Sequence, residues 1–298
     1  MRKTTKKKTS RKSIKREYNM KKWISPILKK IHFIWIGTNP LPDYFKLFLK
    51  GFRKMNPEFS IRVWGNKDIT KNNFPSTYTY INVIKKMHGK PIRDSPSAPT
   101  MVNSKGEVLT YSKWAQITDL MRLEIIYRNS GYYFDTTYEC LKPLYELFNR
   151  KEKFVGCNES SYPLHKLSYL SNSFFGATKG NPILKRLLTK KSLGAIDLYW
   201  WRVNETTGPY YLRSGIRKSD SYHIYPPEYF YPFVEYETQG RKVGTNKCHS
   251  VKHKKTNSKS KSKYIKLHKK GYIYYPCDKY PKTYVLKHWE LGKTWVKT

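Results

Sequence analysis

Residues 113–135 read KWAQITDLMRLEIIYRNSGYYFD, and this stretch decides the fold of the chain. Its apolar residues recur at helical spacing as far as position 129, and they are Trp114, Ile117, Leu120, Met121, Ile125 and Ile126. This spacing predicts an amphipathic helix. Gly131 is placed to end the helix, because glycine readily adopts the left-handed backbone conformation found just after helices. Tyr132–Phe134 then predicts a short strand that ends at Asp135.

A strand, a helix and a second strand are predicted upstream. Ile31–Gly37 is short, apolar and rich in β-branched and aromatic residues, which is typical of a buried strand in a parallel sheet. The next segment predicts a helix that Asp43 caps and Asn56 ends, and its apolar positions are Phe45, Phe48, Leu49 and Phe52. Phe59–Trp64 predicts the second strand. These lengths indicate a βαβ unit, and the chain is predicted to be α/β, with a Rossmann-like, mixed and mainly parallel sheet flanked by helices.

Further elements are predicted on both sides of the helix and strand at 113–135. Phe154–Gly156 and Ser173–Ala177 have the composition of strands, and Asn181 followed by proline predicts the start of a helix that runs to about Lys191. Residues 70–110 carry scattered prolines among polar residues, so an irregular insertion is expected there.

The formal charge of +38 is unevenly distributed along the 298 residues. Residues 1–22 hold eleven Lys and Arg against one acid, residues 241–270 hold twelve basic residues and no acid, and +16 remains for the other 246 residues. We expect a basic disordered tail over 1–22, one domain over 23–298, and a Lys-rich loop insertion at 241–270. The basic segments either bind an anionic partner, such as nucleic acid, an anionic membrane or an acidic glycan, or reflect a compositional drift toward lysine.

The cysteines and the apolar runs bear on the cellular setting. The four cysteines form no C-x-x-C pair and no zinc-like spacing with histidine, which mildly favours a reduced compartment. No run approaches the roughly 18 apolar residues of a transmembrane helix, and the charged N-terminus lacks the apolar stretch of a signal peptide. A cytoplasmic location is therefore expected.

Three polar residues of the opening stretch predict a binding site. Asp119 and Arg122 are three residues apart, so they project from one face of the helix, near the edge of its buried stripe. Asp135 stands at the carboxyl end of a predicted strand, where open α/β sheets place their ligands. A carboxylate there can hold ribose or sugar hydroxyls or a cation on a diphosphate, and arginine donates to hydroxyls or phosphate. The alternatives are a surface ion pair on the helix and a turn-capping role for Asp135.

Three blocks of the sequence resemble the DXD-containing sugar transferases of glycosyltransferase family 32, which are related to yeast α-1,6-mannosyltransferases and clostridial glucosylating toxin domains. The blocks are Lys30–Gly37, Thr118–Arg122 and Gly131–Pro143. Weaker similarities are Thr207-Gly208-Pro209, the stretch Tyr225–Phe233, His288-Trp289 and Thr294-Trp295. The resemblance covers most of residues 30–298 and leaves out the tail and the Lys-rich segment.

The resemblance implies a GT-A fold and transfer of a sugar from a UDP- or GDP-sugar, with retention at the anomeric carbon. It implies that Trp35 stacks on the nucleotide base and that Asp119 and Arg122 hold hydroxyls of the donor sugar. Asp135 would contact ribose or sugar and the metal shell, and the C-terminal pair His288 and Trp295 would close over the diphosphate. The sequence does not identify the acceptor, and a glycan, a protein and a lipid-linked group all stay open.

The sequence departs from this family pattern at the metal position. The pattern is Asp-x-Asp, whereas this chain has Asp135-Thr136-Thr137, so a neutral hydroxyl replaces a carboxylate ligand. One expectation is that Asp135, Thr137 and His288 bind Mn²⁺ or Mg²⁺ more weakly than the family pattern would. A second is that cationic side chains such as Lys287 and Lys293 take over part of the metal's role. A third is an inactive sugar-binding relative.

Two residues near these blocks, Glu139 and His32, are expected to have no role in binding or catalysis. One alternative function from another class also stays open. Glu139 is expected to face solvent or to pair with a lysine, and His32 to pack within the first strand. Trp35 is also compatible with a plain core position. The charge leaves a nucleic-acid-binding protein as the rival, although no RRM, KH, helix-turn-helix or zinc-finger signature is present.

Overall fold

The computed structural model of the chain describes residues 22–36, 39–79, 100–102, 108–159, 170–189, 206–231 and 282–288. The predicted tail, except Lys22, and the Lys-rich segment at 241–270 lie outside these residues. None of the described helices is both long and apolar enough to span a bilayer.

Ten strands and five α-helices lie with both ends inside the described residues. The strands are β1 (Lys30–Ile34), β2 (Ser60–Trp64), β3 (Thr100–Val102), β4 (Val108–Thr110), β5 (Gly131–Phe134), β6 (Tyr138–Cys140), β7 (Phe154–Asn158), β8 (Leu170–Ala177), β9 (Tyr222–Tyr225) and β10 (Val285–Lys287). The helices are α1 (Asp43–Met55), α2 (Tyr111–Asn129), α3 (Tyr145–Phe148), α4 (Pro182–Leu187) and α5 (Pro209–Ser214).

Six strands form one central sheet in the order β2-β1-β5-β8-β7-β9. β1 is parallel to both β2 and β5, and β7 is parallel to β9. β8 is antiparallel to both of its neighbours. The predicted mixed, mainly parallel sheet is therefore confirmed, and β1, α1 and β2 form the predicted βαβ unit. Two antiparallel pairs, β3 with β4 and β6 with β10, lie outside the central sheet.

Each face of the sheet is covered by an apolar core, because successive strand residues point to opposite faces. Phe33 and Phe134 face the core that contains α1 and α3, and the ring centroids of Phe33 and Phe52 are 5.2 Å apart. Ile34 and Tyr133 face the second core, which is formed with α2, α4 and α5. The helices therefore flank the sheet on both sides, as the α/β prediction requires.

Several local predictions need correction. Asp43 is the first residue of α1 and does not cap it: Pro42 precedes the helix, and the Asp43 carboxylate pairs with Lys46 at 3.1 Å. Residues 70–110, predicted to be irregular, include helical residues at 75–79 and the β3–β4 pair. α4 ends at Leu187, short of the predicted Lys191.

The junction between α2 and β5 also differs from the prediction. Ser130, with φ 58°, takes the left-handed position after the helix, and Gly131, with φ 106°, opens β5. A Cβ atom on Gly131 would lie 2.6 Å from the carbonyl oxygen of Lys30 on the neighbouring strand β1. The glycine is therefore required both by its backbone conformation and by the close approach of β1. This tight junction sets where β5 ends, and so where Asp135 stands.

Candidate active site

Three separate parts of the chain meet at the carboxyl end of β5. α2 contributes Asp119 and Arg122, the end of β5 contributes Asp135, and β10 contributes Lys287. Ion pairs link the four side chains in the order Asp119, Arg122, Asp135, Lys287. The structure therefore brings together the three residues that the sequence predicted to converge, and it adds a lysine.

Asp119 is buried and fully surrounded by polar partners. Its Oδ1 accepts a hydrogen bond from Nδ2 of Asn172 at 2.8 Å and lies 3.2 Å from Nη2 of Arg122. Its Oδ2 accepts from the hydroxyl of Thr207 at 2.9 Å. The Asp119 and Arg122 pair lies inside the protein. The alternative of a surface ion pair is thus wrong.

Arg122 joins the helix to the strands. Its Nη1 donates to the backbone carbonyl of Asn172 at 2.8 Å, and its Nε donates to the carbonyl of Thr118 at 3.2 Å. Nη1 also lies 3.4 Å from Oδ1 of Asp135, and the guanidinium carbon lies 4.7 Å from the ring centroid of Tyr133. The planar fork of arginine suits such a set of simultaneous contacts, which lysine could not make.

Asp135 is the most exposed of the four charged groups. Its side chain is 24% exposed, against 6% for Asp119 and 8% each for Arg122 and Lys287. Oδ1 accepts from the hydroxyl of Tyr133 at 2.8 Å, and Oδ2 accepts from Nζ of Lys287 at 2.8 Å. A ligand approaching from solvent would therefore meet Asp135 before the other three groups.

The two carboxyl groups differ in how their environments move their pKa values. Burial raises the pKa of Asp119 from 3.8 to about 6, although Arg122 and the hydroxyl of Thr207 oppose the shift. Burial acts in the same direction on Asp135, but the charges of Lys287 and Arg122 outweigh it and hold the pKa of Asp135 below its ordinary value. At neutral pH both are carboxylates, so two negative and two positive charges balance within the cluster.

His288 and Glu139 form a separate buried pair beside this cluster. Nε2 of His288 lies 3.2 Å from Oε2 of Glu139, and the imidazole stacks on Phe48 with ring centroids 5.0 Å apart. The backbone N–H of His288 donates to the carbonyl of Thr137 at 3.0 Å. The prediction that Glu139 faces solvent is wrong, because its side chain is buried against His288. Pairing of Glu139 with a lysine stays a prediction.

The two predicted tryptophan contacts with the donor both stay predictions. Trp35 directly follows β1, and β1 runs parallel to β5 with Ile31 opposite Tyr132, so Trp35 and Asp135 stand at the same edge of the sheet. The indole Nε1 of Trp35 donates to the carbonyl of Asn39 at 2.8 Å. Trp295 lies outside the described residues. Base stacking by Trp35 stays a prediction.

The residues predicted to hold Mn²⁺ or Mg²⁺ do not form a metal site in the described part of the chain. Both carboxylate oxygens of Asp135 accept hydrogen bonds, one from Tyr133 and one from a lysine ammonium, and Nε2 of His288 faces Glu139. The hydroxyl of Thr137 is buried and has no hydrogen-bond partner among the described residues, but it is one neutral oxygen. No group of three or more His, Cys, Asp or Glu side chains suited to a metal occurs within the described ranges. This donor set does not fit a divalent cation.

Sequence reasoning missed part of the site. Asn172, in β8, both donates to Asp119 and accepts from Arg122, and nothing in the sequence marks it. Thr207 belongs to one of the weaker similarity blocks, and its contact with Asp119 gives that block a place in the site. Lys287 was predicted as one cation that could take over part of the metal's role, but its pairing with Asp135 was not predicted.

Comparisons with curated proteins give two distant relatives, both named as toxins. The chain is 26% identical over 184 residues to Toxin Afp18 of Yersinia ruckeri and, over the same length, to a toxin of Photorhabdus asymbiotica. The matches cover 58% and 57% of this chain but only 8% and 6% of the relatives. The chain thus spans less than a tenth of the length of the curated relatives it matches. No protein family model matches it.

Comparisons with solved structures give glycosyltransferases. The PaToxG glycosyltransferase is 18% identical with a TM-score of 0.43, over 63% of this chain and 68% of that one. The UDP-bound glycosyltransferase domain of the YGT toxin is 12% identical with a TM-score of 0.40, over 66% and 79%. The apo glycosyltransferase GlyE of Streptococcus pneumoniae is 11% identical with a TM-score of 0.41, over 87% and 54%.

Proposed function

We propose that the chain is a glycosyltransferase of the hexosyltransferase type, which moves a sugar from a UDP- or GDP-sugar to a glycan, protein or lipid-linked acceptor with retention of anomeric configuration. The observation that carries the proposal is the cluster of buried Asp119 and Arg122 with partly exposed Asp135 at the carboxyl edge of parallel strands. This is the edge at which α/β sheets bind nucleotides and related ligands. The motif resemblance supplies the donor class and the stereochemistry.

The cluster has the chemistry that donor binding needs. Carboxylates accept hydrogen bonds from sugar or ribose hydroxyls, and a guanidinium donates to hydroxyl or phosphate oxygens. In the proposed reaction the bond between the anomeric carbon and the diphosphate oxygen breaks, a bond to the acceptor hydroxyl oxygen forms, and a nucleoside diphosphate and one proton are released. Asp119 and Arg122, held in place by Asn172, fix the donor sugar, while the partly exposed Asp135 reaches the donor from the solvent side.

The roles of the individual residues follow from their burial. Four hydrogen bonds to Thr118, Asn172 and Thr207 hold Asp119 and Arg122, so the two residues form a rigid template that does not need to reorganise when the donor binds. Such preorganisation is the main way in which polar groups accelerate a transfer reaction. Trp35 at the same sheet edge is proposed to stack on the nucleotide base.

Replacement of Asp135 tests the proposal. Asp135→Asn keeps the size of the side chain but removes the charge that faces the donor, and we expect turnover to fall by about 100-fold or more. Asp43→Asn is the matched control, because Asp43 lies on the surface of α1 with a 96% exposed side chain. The measurement is release of UDP or GDP from a panel of nucleotide-sugars, with circular dichroism used to confirm that each variant is folded.

The same panel of nucleotide-sugars also distinguishes an active transferase from an inactive sugar-binding relative. Unchanged turnover in Asp135→Asn would contradict the assignment of the site. Binding of a nucleotide-sugar to the natural protein without any release of nucleotide would identify an inactive sugar-binding relative. Failure to bind any UDP or GDP compound would defeat the proposal as a whole.

A further inference from the structure

We infer that Lys287 provides the positive charge that binds the diphosphate of the donor, and that donor binding at this site requires no divalent metal ion. The inference rests on the proposed function and names the group that neutralises the leaving diphosphate. The geometry that carries it is the direct pairing of the Lys287 ammonium with Asp135, at the position where the motif resemblance places a metal ligand.

Lys287 is held in place by its strand. β10 pairs with β6 in antiparallel register, with Lys287 opposite Tyr138 and Leu286 opposite Glu139. Val285 and Leu286 are buried in the apolar core, and the Lys287 ammonium lies 5.1 Å from the ring centroid of Tyr138. The lysine side chain is only 8% exposed. An ammonium fixed in this way is a built part of the site and differs from a mobile surface lysine.

The ammonium competes with a metal ion for the same oxygen. Nζ lies 2.8 Å from Oδ2 of Asp135, whereas Mg²⁺ or Ca²⁺ would need to lie at about 2.0–2.6 Å from a carboxylate oxygen. The other oxygen of Asp135 accepts from Tyr133 and faces Arg122. A divalent ion at Asp135 would therefore displace the ammonium and would be repelled by two fixed positive charges.

The same arrangement suits a diphosphate. Arg122 and Lys287 lie next to different oxygens of the Asp135 carboxylate, so two cations flank the most exposed group of the site. Charge-assisted hydrogen bonds from ammonium and guanidinium groups to phosphate oxygens are about twice as strong as neutral ones. In this arrangement Asp135 keeps the ammonium positioned until the diphosphate arrives, and the ammonium then has an anion on each side.

Thr137 gives an independent indication of a ligand. Its hydroxyl is buried without a hydrogen-bond partner in the described residues, an arrangement that costs free energy unless something else binds there. Thr137 stands between Asp135 and Tyr138, and its carbonyl accepts from the residue that follows Lys287. Thr137 directly precedes β6, the strand that pairs with β10, so in the inferred complex its hydroxyl is a second donor to the phosphate oxygens beside the Lys287 ammonium. The threonine at the DXD position then has a function as a donor.

Nucleotide binding in the presence and absence of metal tests the inference. Isothermal titration of the full chain with UDP and with GDP is carried out in EDTA and again with Mn²⁺. We expect equal affinity in the two buffers for the nucleotide that binds. Lys287→Met should weaken its binding by about 10- to 100-fold, the loss of one charge-assisted hydrogen bond. Lys287→Arg should retain most of it.

Lys282→Met is the matched control, because Lys282 lies on the same segment with a 63% exposed side chain, and it should bind as the natural protein does. Binding that appears only with Mn²⁺ would overturn the inference and leave the proposed function standing. Binding by Lys287→Met equal to that of the control would overturn it as well. No binding of either nucleotide in either buffer would defeat the proposed function itself. The metal comparison needs no variant, so it stands even if Lys287→Met fails to fold.

Discussion

Burial moves the pKa values of Asp119 and His32 in opposite directions. The pKa of Asp119 is raised from 3.8 to about 6 by burial, and the pKa of His32 is lowered from 6.5 to about 4 by burial, with Lys30 and Arg62 adding to the shift. The neighbours of His32 fix its neutral form: Nδ1 accepts from the indole of Trp64 at 3.1 Å, so Nε2 carries the proton and donates to the carbonyl of Ser130 at 2.9 Å.

These two pKa shifts make the free energy of unfolding depend on pH in opposite ways over the same pH window. The contribution of Asp119 is fully present below about 3.8 and is lost as the pH rises through about 6. The contribution of His32 is present above 6.5 and is lost as the pH falls through about 4. Between these limits the two effects largely cancel in the natural protein.

In the Asp119→Asn variant, the effect of His32 on the free energy of unfolding should no longer be cancelled by that of Asp119. We expect the free energy of unfolding of this variant to fall more steeply than that of the natural protein as the pH is lowered from 6.5 to 4. The difference between the two proteins should change by on the order of 3 kcal/mol across the window, from a shift of about two pKa units. Urea unfolding at a series of pH values measures it. A pH-independent difference would contradict the raised pKa of Asp119.

The residues of the site could be predicted only where they are close in sequence. Asp119 and Arg122 share a helix face through their spacing, and Asp135 follows from the end of an apolar strand. The partner of Asp135 is 152 residues away, and no periodicity links Lys287 to it. Asn172 was missed for a similar reason: its contacts depend on β8 running antiparallel beside β5, and the sequence of a strand does not state its direction.

At the scale of elements, the apolar runs predicted the strands and helices well because most of these elements are buried. The middle of α2 is buried all round, and even Glu124 is enclosed, where it accepts from the backbone N–H groups of Ser76 and Thr77. The helix pattern was therefore correct in position, but it did not reveal that the polar residues among the apolar ones are also inside. Their partners come from other segments, which a helical repeat does not encode.

The junction between α2 and β5 gives a prediction about glycine. Gly131→Ala should destabilise the protein by several kcal/mol, because φ 106° strains any residue with a Cβ and this atom would meet the carbonyl of Lys30 at 2.6 Å. Gly51→Ala is the matched control, since Gly51 lies within α1 and a Cβ there meets nothing within 4 Å.

The control should stabilise the protein by up to about 1 kcal/mol, because alanine favours helix over glycine. Urea unfolding of both variants measures the two effects. A Gly131→Ala variant as stable as the natural protein would show that β1 does not approach β5 as closely as described. Turnover should fall in parallel if the junction positions Asp135.

For the whole molecule, the distribution of charge places the strongly basic segments, which could bind nucleic acid, outside the proposed site. The two basic segments, residues 1–22 and 241–270, carry eleven and twelve Lys or Arg residues, while the described site is balanced between two acids and two bases. Counterion release makes binding of DNA by such segments independent of sequence and steeply dependent on salt.

Replacement of the Lys and Arg residues of both segments by glutamine should therefore abolish most DNA retention at low salt and flatten its salt dependence, while nucleotide binding at the sheet edge stays unchanged. Filter binding of a short DNA duplex over a range of salt concentrations, together with titration of UDP and GDP, measures both effects on the same protein. If the neutralised protein retained DNA as tightly as the natural one, the binding surface would belong to the folded core. That result would favour a nucleic-acid-binding function over the glycosyltransferase function. The folded core would then present an extended basic surface in addition to the four-residue site.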